Sequence, residues 1–175
     1  EQPPNLSCIV PVVASTQFDY ESYYPGGVYR TEYIEQLDAL GFGVSGILQN
    51  NPYYNLVWQS AELGSRYADQ IQVPVLMIGG WFDHNLKEMF DLYYDLQNQS
   101  SAASEQHMII GPWVHGGSGI AQVGTAQQGD LFFPNAANYN NIKAREFLDF
   151  HLLNANNSGA NQAKLELYDA SSMQS

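Results

Sequence analysis

Two short apolar runs, each ending on a glycine, constrain this chain more than anything else in it. VPVLMIGGWFDHN occupies residues 73–85 and HMIIGPWVHGG residues 107–117. Between them LKEMFDLYYDLQN places Leu86, Met89, Phe90, Tyr93 and Leu96 at the spacing of one helix face. Runs this short and apolar, bounded by Pro or Gly, are predicted strands buried on both faces. Val75 to Ile78 and Met108 to Ile110 are two such strands, and Cys8 to Val13 within PPNLSCIVPVV is a third. Strand, turn, helix, strand is the rhythm of an α/β fold with a parallel sheet. Asn85 is placed to cap the helix. A further helix is predicted in NNIKAREFLDFHLLN, with Ile142, Phe147, Leu148 and Leu152 toward the sheet.

The stretch between the first two strands is too long for an ordinary crossover. It contains YYPGGVYR, the helix-like TEYIEQLDAL and SAELGSRYADQ, and turns at Pro25-Gly26-Gly27 and Asn51-Pro52. Residues 20–71 are therefore expected to be a helical cap insertion in a domain spanning residues 1–154. Its Tyr and Trp side chains either pack a small core or line a pocket mouth. Beyond Asn154 the polar NANNSGANQ makes residues 155–163 an expected linker. KLELYDASS then alternates like a strand, so residues 164–175 are expected to open a further, mostly absent domain.

Each of the two apolar runs displays one titratable group just past its end, Asp83 and His115. At the carboxyl ends of parallel strands, loops converge on one crevice, so these two could meet across 32 positions. A carboxylate that accepts from one imidazole nitrogen fixes the tautomer, and the other nitrogen can then take a proton from a hydroxyl. The same residues could equally be a helix-capping Asp and a turn His, and spacing alone leaves both open. A metal hydrolase built on Asp83, His84 and His115 would lack a helix-spaced His pair or a bridging carboxylate, so no metal is assigned. Cys8, the one cysteine, excludes an internal disulfide and reads as a small buried residue.

Charge narrows the partners. With 18 Asp and Glu against six Lys and Arg, the net charge is -12, which argues against nucleic acid and against an anionic membrane surface. No run of 18 apolar residues offers a membrane span. Abundant Asn, Gln and Ser with little Lys are compatible with an exported protein.

YYPGGVYR, VPVLMIGGWFDHNL, HMIIGPWVHGG and AREFLDFHLL, in that order, resemble the CocE/NonD-type acyl esterases, which include cocaine esterase, α-amino-acid ester hydrolases and X-Pro dipeptidyl-peptidases. The resemblance implies the C-terminal part of an α/β-hydrolase fold with a helical cap, leading into a β-sandwich of jelly-roll type. It implies a Ser-Asp-His triad acting on a small-molecule ester or amide without a cofactor, with Asp83 as orienting acid and His115 as general base. Trp81, Phe82 and Trp113 would then border the acyl pocket or pack beneath it. Asp19 or Glu21 could help hold a substrate ammonium, a task for which Asn85-Leu86 offers no carboxylate. His107 and His151 read as structural or surface residues.

The nucleophile is expected upstream, in a G-x-S-x-G elbow between strand and helix. No such pentapeptide occurs, and neither Ser45 nor Ser118 follows an apolar strand. The chain is thus expected to need the N-terminal half of the hydrolase domain, or copies of itself, to cover its sheet. The alternative is a catalytically inert interaction module.

Overall fold

The structure is a computed structural model; it describes residues 3–116, 122–161 and 163–168. The chain divides into two compact units, Thr16–Tyr67 and the combination of Glu1–Ser15 with Ala68–Ser175.

The inserted unit carries three helices: α1 (Thr31–Ala39), α2 (Ser45–Gln49) and α3 (Leu56–Ser65). The Asp38 carboxylate accepts from the Val44 and Ser45 amides at 2.6 and 3.2 Å and so ties the end of α1 to the start of α2. Asn55 caps α3 by accepting from the Val57 and Trp58 amides. That cap starts the helix at Leu56, earlier than the expected SAELGSRYADQ, and the helix stops at Ser65. Tyr24, Ile34, Leu48 and Trp58 form the buried core. Trp58 stacks on Phe18 and meets Tyr20 and Tyr24 edge-on. Its indole N–H donates to the Asn51 carbonyl at 2.8 Å, so its polar handle is satisfied. Part of the aromatic content is therefore core, while Tyr53 and Leu56 stand exposed.

The larger unit is built on β1 (Val75–Phe82), α4 (Leu86–Gln99), β2 (Gln106–Val114), a hairpin of β3 (Gln127–Gln128) and β4 (Leu131–Phe132), α5 (Tyr139–Leu153) and β5 (Leu165–Leu167). β1 and β2 pair in parallel from Val75↔Gln106 to Gly80↔Gly111. β5 pairs in parallel with β2 through Met108↔Leu165 and Ile110↔Leu167. The strand expected within residues 164–175 thus lies at the edge of the same sheet.

Alternation sorts the sheet's side chains. Val75, Met77, Met108 and Ile110 point to α4, where Met89, Leu92 and Leu96 close one buried cluster. Leu76, Ile78 and Ile109 point the other way, onto Phe147 of α5, Ala136, Trp113 and Cys8. Helices on both faces of a parallel sheet make this an α/β fold. Among the described residues no helix is long and apolar enough to cross a membrane.

Three expectations shift. Residues 8–13 run beside β1 with isolated parallel bridges at Ile9↔Val75 and Val12↔Ile78 instead of a regular strand. Ile9 N–H donates to Pro74, Leu76 to Ile9, Ile78 to Pro11 and Val13 to Ile78; Pro11, having no N–H, interrupts that series. Of the residues expected to turn α5 to the sheet, Phe147 is buried, but Ile142 and Leu152 are exposed. Finally, β1 and β2 continue through their glycines to Phe82 and Val114. A Cβ on Gly79 would meet Met89 Cε at 2.7 Å, and one on Gly111 the Trp113 ring at 2.4 Å. These glycines admit close neighbours inside the sheet; they are not turns.

Candidate active site

The pairing of β1 with β2 slips just before both strands end. Gly80 faces Gly111, yet Phe82 faces Val114, so β2 carries one extra residue at Pro112–Trp113. Had the register run on unbroken, Asp83 would follow opposite Val114, and His115 would fall one place out. A one-residue slip turns side chains to the other face of a sheet. The bulge therefore makes Asp83 and His115 the next matched pair. Gln128 holds the bulged end: its Oε1 accepts from the Val114 amide at 2.9 Å. The Gln128 amide nitrogen is anchored in turn on the Gln122 and Thr125 carbonyls and the Thr125 hydroxyl.

Asp83 has a side chain with no exposed surface. Its Oδ1 accepts from His115 Nδ1 at 3.0 Å and from the Asn85 amide at 2.8 Å. Its Oδ2 is buried and has no hydrogen-bond partner among the described residues. Since a carboxylate only accepts, Nδ1 of His115 bears the shared proton and Nε2 of the neutral ring bears the lone pair. The imidazole is 38% exposed, open enough for an outside group to reach it. The turn is fixed by the Asp83 amide on the Gly80 carbonyl at 3.1 Å and the Leu86 amide on the Asp83 carbonyl at 3.3 Å. Asn85 stands at the N-cap position of α4, but its side chain caps nothing in the helix. Instead its Nδ2 donates to the Val13 carbonyl at 3.2 Å. Val13 has φ +46, a strained conformation for a β-branched residue, at the carboxyl end of the segment beside β1.

His84 joins the pair. Its ring centroid lies 4.3 Å from that of His115, and its Nδ1 is 3.8 Å from Asp83 Oδ1. One ligand atom from each of Asp83, His84 and His115 falls within 4.8 Å of the others.

The remaining expected site residues are placed unequally. Trp81 and Phe82 are exposed at the end of β1, Trp81 donating to the Tyr168 carbonyl at 3.2 Å. Trp113 is wholly buried against Gly111 and has no surface to offer a ligand. The Asp19 carboxylate is engaged by the amide and hydroxyl of Ser22, and Glu21 by the Gly26 amide, all in the inserted unit. His107 lies at the start of β2, against the Ala163 carbonyl, and His151 packs on Phe147; both are far along the sheet from His115. Ser45 opens α2, and Ser118 lies outside the described residues. Sequence reasoning missed Gln128 altogether. A buried Gln in a polar hairpin leaves no periodic signal.

Known proteins resemble this chain in sequence and in fold. The family model of the X-Pro dipeptidyl-peptidases (S15 family) matches residues 30–117, which include both Asp83 and His115. No curated protein matches. Among solved structures, an aminopeptidase from the marine sediment archaeon Thaumarchaeota archaeon is similar with a TM-score of 0.61 and 20% identity. That likeness covers 97% of this chain and 34% of the aminopeptidase. A CocE/NonD family hydrolase from Staphylococcus aureus is similar with a TM-score of 0.62 and 17% identity over 94% of this chain and 28% of the other. The chain thus spans about a third of the length of these structures. At such identity they speak for the fold, while the family model, matching half of the sequence, speaks for descent: the chain belongs to the X-Pro dipeptidyl-peptidase (S15) family.

Proposed function

We propose that the protein is part of a serine hydrolase acting on ester or amide bonds, to which this chain contributes the acid and the base of a Ser-Asp-His triad. The observation that carries the reading is the 3.0 Å bond between buried Asp83 and half-exposed His115 at the carboxyl ends of adjacent parallel strands. Asp83 holds the imidazole by Nδ1 and stabilises its cation, leaving Nε2 to take the proton of a serine hydroxyl as that oxygen attacks the acyl carbon. The protonated ring then hands the proton to the leaving alcohol or amine. In the second half His115 activates water to release the acyl-serine. The serine and the oxyanion donors belong to a segment upstream of this chain, in the order Ser, Asp, His of α/β-hydrolases. Residues 20–71 are a helical cap insertion, Trp81 and Phe82 border the acyl pocket, and a jelly-roll β-sandwich follows.

Covalent capture by a fluorophosphonate, measured on the intact protein, tests this. His115→Ala abolishes capture and Asp83→Asn slows turnover by about four orders of magnitude with folding unchanged. Wild-type rates in either variant remove the triad assignment.

A further inference from the structure

We infer that Asp83, His84 and His115 form a binding site for one divalent transition-metal ion of the Zn2+ and Co2+ type, and that an ion held there occupies the acid–base pair and blocks it. A tetrahedral ion about 2.0–2.1 Å from each donor needs donors roughly 3.3 Å apart. Asp83 Oδ1 lies 3.0 Å from His115 Nδ1 and 3.8 Å from His84 Nδ1, so two of the three spacings bracket that value before any metal arrives. The two rings already lie 4.3 Å apart, tilted by 38° to one another. Small rotations of the half-exposed imidazoles complete the set, and solvent supplies the fourth ligand.

An independent feature points the same way. Asp83 Oδ2 is buried and lacks a hydrogen-bond partner among the described residues. A buried carboxylate with an oxygen so left is costly, and a cation on Oδ1 offsets that cost because the two oxygens share the charge. Two imidazoles with one carboxylate favour borderline ions over Ca2+ or Mg2+, which take oxygen ligands. The net charge of -12 raises the local concentration of any cation. Binding replaces the proton shared between His115 Nδ1 and Asp83 with the ion and releases that proton to solvent. While the ion stays, His115 cannot be held by Asp83 in the tautomer that leaves Nε2 basic. The block therefore rests on the triad reading, whereas the binding does not.

Co2+ titration of the intact protein, followed by the visible ligand-field absorption of a four-coordinate ion, reads binding without reference to activity. One equivalent binds, Zn2+ displaces it and Ca2+ does not. His84→Asn weakens it by more than the ~10–100-fold typical of losing an outer-shell partner. In the wild-type protein Zn2+ shifts the imidazole NMR signals of His84 and His115 and leaves those of His107 and His151 in place, which needs no variant to fold. No absorption at saturating Co2+, or shifts confined to other histidines, overturns the site. Capture by the fluorophosphonate should fall in proportion to Zn2+ occupancy and return with a chelator. Capture that is sensitive to His115→Ala but unmoved by bound Zn2+ overturns the block. Co2+ binding in a protein whose capture ignores His115→Ala overturns the triad and leaves the metal site standing.

Discussion

His151 shows how burial and charge compete at one side chain. Its ring is 11% exposed, packed against Phe147 and Phe150, with Nδ1 3.8 Å from a Glu105 oxygen. Burial lowers its pKa from the ordinary 6.5; Glu105 pulls the other way, and His107 adds a small push in the same direction as burial. The sign of the consequence follows from proton counting. Between the folded pKa and 6.5 the unfolded chain binds a proton that the folded chain refuses, so stability rises with pH through that window. Above 6.5 this residue adds no slope. Urea midpoints followed from about pH 7 to pH 5 should fall less steeply in His151→Gln than in the wild-type protein. Equal slopes would place the acid sensitivity elsewhere. His151 was legible only as a helix residue, because its partners Glu105 and His107 come from the start of another element. Asp83 and His115 were easier to read, since each closes a local apolar run. The trio with His84 was weighed from sequence and set aside for want of a helix-spaced His pair, because only distances bring His84 Nδ1 to 3.8 Å from Asp83 and its ring to 4.3 Å from that of His115.

At the scale of elements, local periodicity carried the reading well and strand ends carried it poorly. β1, β2 and α4 announce themselves through apolar runs and a 3.6-residue spacing, and the helices fall on opposite faces as a parallel sheet requires. The ends were misjudged because a glycine inside a strand and a glycine in a turn look alike in sequence. The bulge at Pro112–Trp113 was invisible for the same reason, although it decides that Asp83 meets His115. Only packing separates the two uses of glycine. Trp113 lies fully buried over Gly111, and an added Cβ would sit 2.4 Å from its ring. The ring or the strand must shift to admit that carbon, so Gly111→Ala should destabilise the protein by about 3 kcal/mol, the upper part of the usual range for overpacking. Trp113→Leu in that background should recover part of the loss, a coupling that a double-mutant cycle in denaturant measures. Additive losses would mean that Gly111 and Trp113 do not constrain each other.

For the molecule as a whole the open question is what lies against the outer side of residues 8–13. Ile9 turns its N–H and C=O to β1, and Val13 its N–H, as parallel pairing prescribes. The residues between, Val10 and Val12, therefore aim their backbone groups away from β1, and Val12 is 40% exposed. A parallel sheet with such an edge is a template for another strand. The solved structures that resemble this chain are about three times its length, and we propose that strands from the upstream half of the same hydrolase domain occupy this edge. Residues 1–175 expressed alone should then self-associate, visible as concentration-dependent sedimentation. A charge on an edge strand opposes pairing with further strands, so Val12→Lys should shift the population toward monomer. The upstream half, supplied in trans, should dissolve the wild-type oligomers and restore fluorophosphonate capture together. A monodisperse wild-type monomer, indifferent to Val12→Lys and to the added half, would show that the edge needs no partner.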